Sequence, residues 1–154
     1  MDVERVFRFK NSRFKIQDSR FKIQDTRFKI QDSILKTMAT IKRFEDLEFW
    51  QLAREICKKI NQYFESNDKF RDYGLKNQIY NSSGSIMDNI AEGFERNGNK
   101  EFRQFLSIAK ASAGESRSQL YRLKDKEAIK ENQFNELYND LLNLSKQISG
   151  FIIN

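Results

Sequence analysis

Apolar residues recur every three or four positions in four successive blocks of this sequence, all of them after residue 40. In the first block the apolar positions run from Phe49 to Tyr63 in steps of 4, 3, 4 and 3. The third block is predicted to bury the stripe Phe102, Phe105, Ala109, Ser112, Ser116, Leu120 and Leu123. In the last block the apolar positions run from Phe134 to Phe151 in steps of 3, 4, 3, 4 and 3. Such spacing places the apolar side chains on one face of an α-helix. The pattern therefore predicts four amphipathic helices, over roughly residues 43–66, 73–95, 100–125 and 132–152.

Short polar segments separate the four predicted helices. Residues 66–68 break the first pattern, Asp72 is placed to cap the second helix, and Asn99 is placed to cap the third. Helices joined by short connections lie antiparallel to their neighbours. We therefore expect residues 41–154 to form an all-α, antiparallel up-down-up-down four-helix bundle, small enough for oligomerisation to add stability.

The composition excludes several classes of function. The chain has no His, no Pro and a single Cys, Cys57. The usual zinc and haem ligand sets, a His-dependent catalytic triad and a disulfide framework cannot be built from it. We therefore expect no metal, no cofactor and no small-molecule substrate. Cys57 lies within the first apolar stripe, which indicates a small core side chain rather than a reactive thiol. No apolar run approaches the ~20 residues of a membrane span, so we expect a cytoplasmic protein without a membrane partner.

Residues 13–33 consist of three nearly identical seven-residue copies, RFKIQDS, RFKIQDT and RFKIQDS. The Phe and Ile of each copy are two positions apart and the next Phe follows five later, so neither a helix nor a strand buries them consistently. We interpret residues 1–40 as a basic tail, disordered or marginally ordered. Two alternatives stay open. The tail is an arm that binds nucleic acid or an anionic surface, or it is an extension of the gene model ahead of a native start at Met38.

Most of the positive charge lies in this tail. The formal net charge is +6, and residues 1–37 contribute ten Lys and Arg against five Asp and Glu. Residues 38–154 contain eighteen basic and seventeen acidic side chains, so the predicted bundle is close to neutral. A basic surface on the bundle must therefore come from the arrangement of its charges.

The second and third predicted helices carry many small side chains, which allow two backbones to approach closely. On the second helix they are Ser82, Ser83, Gly84, Ser85, Ala91 and Gly93, and on the third Ala109, Ala111, Ser112, Ala113, Gly114 and Ser116. A polar layer inside the bundle or between subunits is predicted from Asn89, Glu92, Glu115 and Gln119. The alternative is acid–base chemistry by paired carboxylates, which no cleft signal supports.

The most distinctive motif lies within SIMDNIAEGF, at Asn89, Ile90, Ala91, Glu92 and Gly93. Together with residues 44–53 and 102–109, it resembles a bacterial family of four-helix bundle proteins. That family includes proteins encoded in the intervening sequences of 23S ribosomal RNA genes, and the accessory variability proteins of diversity-generating retroelements. The resemblance spans residues 41–152 and leaves out the repeat.

The resemblance implies a bundle that assembles into a ring-like homopentamer and has no catalytic activity. From the retroelement members it also implies a basic surface that binds nucleic acid and a reverse transcriptase. The sequence departs from the family pattern at Tyr80 and Asn81, where members often carry Arg. The remaining candidate nucleic-acid-binding residues lie around the ends of the second and third helices, at Arg71, Lys76, Arg96, Lys100 and Arg103. The alternative for these cations is a solvated rim that serves solubility.

Two hypotheses for function follow from the sequence. The first is a non-catalytic homo-oligomer, a pentamer by resemblance, that binds RNA or a ribonucleoprotein partner through those cations. The second is a purely structural protein–protein interaction module, which uses apolar residues outside the main stripes such as Trp50, Phe94 and Phe151. An enzyme is disfavoured because the sequence has no His, no Gly-rich phosphate loop and no metal-ligand cluster.

Overall fold

The computed structural model of the chain describes residues 19–26, 28–29, 41–96 and 98–153. Within these residues the protein is all-helical and contains no β-strand, which confirms the all-α part of the predicted fold class. The long helices are α1 (Glu48–Ser66), α2 (Tyr73–Glu95), α3 (Asn99–Asp125) and α4 (Glu131–Ile153). They correspond to the four apolar blocks, because burial of each stripe requires the helical period.

The first helix begins later than predicted. A short 3-10 helix, Phe44–Asp46, precedes it, and Leu47 is extended before α1 starts at Glu48. The Phe44 ring packs edge-on against Trp50, with 5.0 Å between ring centroids, and Leu47 is only 2% exposed. The turn therefore places two further apolar side chains against the helices, which a continuous helix from residue 43 would not do.

The two predicted N-caps have different outcomes. Asp72 caps α2 as predicted, because its Oδ1 accepts a hydrogen bond from the Leu75 N–H at 3.0 Å. That bond, with Lys126 at 3.3 Å from the other carboxylate oxygen, holds the pKa of Asp72 below its ordinary value. The prediction of Asn99 as a cap is wrong. Gly98 takes that position, because its carbonyl accepts the first helical hydrogen bond from the Phe102 N–H at 2.9 Å.

Each long helix packs against its neighbours in sequence, and α1 also packs against α4. Along each interface, residues later in one helix meet residues earlier in the other. Between α1 and α4, for example, Phe49 contacts Phe151 and Lys59 contacts Asp140. The four apolar stripes therefore meet in one compact core.

The core consists largely of the side chains that the helical period selects. Its largest fully buried members are Ile56, Ile60, Leu75, Ile79, Ile86, Ile90, Leu106, Leu120, Leu123, Leu141, Leu144 and Ile148. One position of the α3 stripe was predicted wrongly: Leu106 is fully buried, whereas Phe105 is half-buried. Cys57 is half-buried, and burial raises the pKa of its thiol, which disfavours the reactive thiolate.

Helices α2 and α3 approach each other closely at Gly93. A β-carbon at position 93 would lie 2.5 Å from Phe105 Cβ and 3.1 Å from Phe102 Cδ2. These distances are too short for ordinary contact, so glycine allows the two helices to meet there. Phe105 fills the space beside Gly93, and this explains why it does not point into the core as the period suggested.

Hydrogen bonds of serine side chains also join α2 and α3, closer to the middle of α2. The hydroxyls of Ser82 and Ser116 are 2.7 Å apart, and Ser82 Oγ donates to Gln119 Oε1 at 2.6 Å. All three residues are buried. The predicted polar layer therefore includes Gln119, but Glu92 does not belong to it, because it is exposed and pairs with Arg96 on its own helix at 2.6 Å.

The N-terminal unit is described only in part. Residues 19–26 and 28–29 are helical. The exposed large apolar side chains there are Phe21, Ile23 and Phe28. The interpretation of residues 1–40 as a poorly ordered tail falls mostly outside the described residues and stays a prediction.

Two glycine-to-alanine substitutions distinguish the effect of the close helix contact on stability from the effect of helix propensity. Gly93→Ala is expected to lower the free energy of unfolding by about 1–2 kcal/mol, because overpacking at Phe105 exceeds the gain in helix propensity. Gly84→Ala is the control, since no atom lies within 4 Å of the added methyl group, and it should raise stability by up to ~1 kcal/mol. Thermal and denaturant unfolding at equal protein concentration measures both. Equal stabilisation by the two substitutions would contradict the close-approach argument.

Candidate nucleic-acid interface

The five cations predicted from the sequence fall into two groups at opposite ends of α2. Arg71 and Lys76 lie around its first turn, whereas Arg96, Lys100 and Arg103 lie around its end and the start of α3. The 23 residues of α2 separate the groups by about 33 Å at 1.5 Å per residue. The structure therefore does not bring these five side chains together, and their binding role stays a prediction.

Three of the five cations already have partners within the chain. Arg71 donates to the Asp68 carbonyl at 2.7 Å. Lys76 Nζ lies 5.4 and 5.6 Å from the ring centroids of Phe64 and Tyr80. Arg96 pairs with Glu92 and lies 4.8 Å from the centroid of the Phe105 ring. These contacts fit the alternative interpretation, a solvated rim around the helix ends.

The other two cations begin a longer arrangement that sequence reasoning missed. Lys100 and Arg103 are exposed, and neither has an ion pair in the part of the chain that the structure describes. From Arg103 onward a cation recurs every seven residues along α3, at Lys110, Arg117 and Lys124. Seven residues are nearly two helical turns, so these four side chains share one side of α3 at intervals of about 10.5 Å. We call Arg103, Lys110, Arg117 and Lys124 the basic row.

Carboxylates compensate little of the charge on this row. Between Arg103 and Lys124 the only acidic residue of α3 is Glu115, which accepts a hydrogen bond from Gln119 at 3.2 Å. On the adjacent helix α4, Glu136 and Asp140 both pair with Lys59 of α1, at 2.5 and 2.7 Å. Glu131, the third acidic residue of α4, pairs with Lys124 at 2.9 Å.

Arg117 is the member of the row with a buried polar atom that lacks a hydrogen-bond partner among the described residues. The residue is half-buried, and its Nε is buried with no hydrogen-bond acceptor among the described residues. The guanidinium lies 5.9 Å from the centroid of the Tyr138 ring, which supplies only a weak cation–π contact. The guanidinium also has no ion pair in the described part of the chain, so its positive charge is available to an anion from outside the chain.

Aromatic rings lie between the last two cations of the row. Tyr121 packs edge-on against Phe134 and Tyr138, with ring centroids 5.1 and 5.7 Å apart, and Phe134 stacks on Tyr138 at 5.6 Å. Lys124 Nζ lies 4.5 Å from the Phe134 centroid. Tyr121 remains 48% exposed, and the neighbouring Tyr138 side chain raises the pKa of its hydroxyl. We call Tyr121, Phe134 and Tyr138 the tyrosine cluster.

Comparison with known proteins identifies the family. The family described as 23S rRNA-intervening sequence protein matches residues 45–150, which is more than half of the chain. This chain belongs to that family. A crystal structure of a protein with unknown function from the S23 ribosomal protein family, from Bacteroides thetaiotaomicron VPI-5482, has the same fold with a TM-score of 0.63. It is 24% identical, and the alignment covers 69% of this chain and 99% of that one. No curated protein matches the sequence.

The part of the chain that matches the family contains the basic row and the tyrosine cluster, and leaves out the tail. Three of the five residues of the family motif, Asn89, Ile90 and Gly93, have packing or hydrogen-bonding contacts within the bundle. Asn89 Nδ2 donates to the Ser85 carbonyl at 2.7 Å, Ile90 is fully buried, and Gly93 permits the close approach. Ala91 is half-buried and Glu92 is exposed. The motif therefore acts in packing.

Two grooves lined by described residues, of about 510 and 710 Å³, are open to solvent. Within the described ranges, no three His, Cys, Asp or Glu side chains are grouped as metal ligands. No helix among these residues combines the length and apolar character needed to cross a bilayer.

Replacing Arg117 tests whether it stabilises the fold. Arg117→Met keeps the aliphatic stem and removes the buried Nε that lacks an acceptor, so the free energy of unfolding should change by less than about 1 kcal/mol or rise. Denaturant unfolding measures this. The comparison variant is Lys124→Met, which loses both an ion pair and a cation–π contact. If Arg117→Met is the more destabilising of the two, Arg117 is a structural residue.

Proposed function

We propose that this chain is a non-catalytic RNA-binding protein, and that the basic row of α3 contacts the phosphate backbone. The observation that carries the proposal is the row itself: four cations at a fixed interval on one helix, next to a helix that offsets only one of them, through the Glu131–Lys124 ion pair. A cationic surface of this kind attracts polyanions. The description of the family, which refers to an intervening sequence of 23S rRNA, supports RNA as the polyanion.

The proposal includes the architecture that the sequence predicted. We propose an up-down-up-down four-helix bundle in the cytoplasm, which assembles as a homo-oligomer and, by family resemblance, as a pentamer. The opposite sequence order of contacts along each helix interface supports the antiparallel arrangement. The exposed side chain of Ile108, at 42%, supports an oligomer, because a neighbouring subunit would cover it.

The alternative, a structural module without nucleic-acid binding, has less support. Its candidate docking residues were Trp50, Phe94 and Phe151. Each of these rings is half-buried and contacts another ring of the same chain: Phe44, Phe102 and Phe49, respectively. These rings are therefore used largely within the chain. A ribonucleoprotein partner, the other form of the RNA hypothesis, would use the same basic row.

Neutralising the basic row tests the proposed function in the full-length chain. The triple variant Arg103→Gln, Lys110→Gln, Arg117→Gln should reduce affinity for a fluorescein-labelled RNA and flatten its salt dependence by about two units of slope. The unchanged protein should lose about a hundredfold in affinity between 50 and 200 mM salt if four or five cations contact phosphate. Fluorescence anisotropy at several salt concentrations measures both.

A matched control variant has the same net charge as the basic-row variant. Arg54→Gln, Lys58→Gln, Lys69→Gln also removes three exposed cations, from α1 and the loop after it, and α1 does not pack against α3. The basic tail is present in both variants, so its contribution cancels. Equal loss of binding in the two variants would mean that only net charge matters, and absence of RNA binding by the unchanged protein would reject the function.

A further inference from the structure

We propose that the RNA bound by this surface is single-stranded, with an unpaired base stacked on Tyr121 and its neighbouring phosphates held by Arg117 and Lys124. This inference rests on the proposed function and specifies the class of RNA and the residue that selects it. It is argued from three features of the surface: the exposed ring, the unpaired guanidinium and the order in which they occur along α3.

The first feature is the ring of Tyr121. Its edge-on contacts with Phe134 and Tyr138, at 5.1 and 5.7 Å, fix the orientation of the side chain. Nearly half of its surface is nevertheless open to solvent. An ordered, exposed aromatic ring is a stacking platform for a base, and such stacking is sequence-tolerant because every base has a π-face.

The second feature is the environment of Arg117. Its charge has no carboxylate partner in the described part of the chain, and its Nε has no acceptor. A phosphate oxygen would supply the missing negative charge at the terminal nitrogens of the guanidinium, because guanidinium and phosphate form short, charge-assisted hydrogen bonds. Arg117 can therefore bind an anion from outside the chain without first breaking an ion pair within the described residues.

The third feature is the order of these residues. Arg117 precedes Tyr121 by four positions and Lys124 follows it by three, so a cation lies about one helical turn away on each side of the ring. Alternation of cations with an aromatic ring is typical of single-strand binding surfaces. In an RNA duplex the bases are stacked on one another, and the deep, narrow major groove excludes side chains. A tyrosine ring on a helix surface therefore reaches an unpaired base much more readily than a paired one.

The test compares two RNA probes on the full-length chain. The first is a fluorescein-labelled 12-nucleotide strand of mixed sequence, and the second is the same strand annealed to its complement. The single strand should bind at least about tenfold more tightly at equal salt. Tyr121→Leu should weaken single-strand binding about tenfold and leave duplex binding unchanged, since one stacked base contributes an effect of that order. Tyr121→Phe should keep the single-strand affinity because it keeps the ring.

Three further measurements make the test specific. Tyr73→Leu removes the other strongly exposed tyrosine, at 57%, and should leave binding unchanged. Arg117→Gln should weaken binding to both probes and reduce the salt slope by about one unit. If Tyr121→Leu fails to fold, ultraviolet crosslinking of the unchanged protein to the single strand, followed by peptide mapping, should identify Tyr121.

The outcomes separate this inference from the proposed function. Duplex binding as tight as single-strand binding, together with an unaffected Tyr121→Leu variant and a weakened basic-row variant, would overturn the inference and leave RNA binding intact. Poly-glutamate that binds as tightly as the single strand and also depends on Tyr121 would assign the surface to an acidic protein partner and overturn the inference. If neither RNA is bound, the proposed function itself fails.

Discussion

The close contact between α2 and α3 sets the orientation on which the rest of the surface depends. Gly93 admits Phe102 and Phe105 at one point of this interface, and the buried Ser82–Ser116 hydrogen bond fastens it further along. Two attachment points on the same side of α3 fix its rotation about its own axis. Because the helix has 3.6 residues per turn, the basic row is then held on roughly the opposite side of α3, away from α2.

The charge of the bundle illustrates why net charge is a poor guide to a local surface. Residues 38–154 are nearly neutral, yet two of the three α4 carboxylates pair away from the basic row, with Lys59 on the α1 side. Only the third, Glu131, offsets the row, at Lys124. Since interactions between exposed charges are screened beyond about 8–10 Å, a polyanion near α3 experiences the row far more than the distant acidic side chains.

The periodic part of the fold was readable from the sequence, and the exceptions have local causes. Burial of an apolar stripe needs only the helical period, so the four helices and most of the core followed from spacing. Asn99 was mistaken for a cap because a backbone carbonyl, that of Gly98, starts α3. Phe105 was assigned to the core because its use beside Gly93 depends on the neighbouring helix. The seven-residue recurrence of cations was visible in the sequence. Whether these cations form an exposed basic surface depends on which side of α3 packs against α2 and on which α4 carboxylates pair with other cations, and neither can be read from spacing.

The surface formed by the basic row and the tyrosine cluster is rigid, and this rigidity limits which RNA conformations it can bind. The basic row and the tyrosine cluster lie on two packed helices rather than on loops, so their spacing is fixed by backbone geometry and by ring contacts. A rigid surface does not adjust to its partner, and the partner must then adopt the spacing that the surface presents. Stacked bases hold the phosphates of a duplex in a regular helical array, whereas an unpaired strand can rotate about its backbone and place a base on Tyr121. The ordering entropy is then lost by the RNA rather than by the protein.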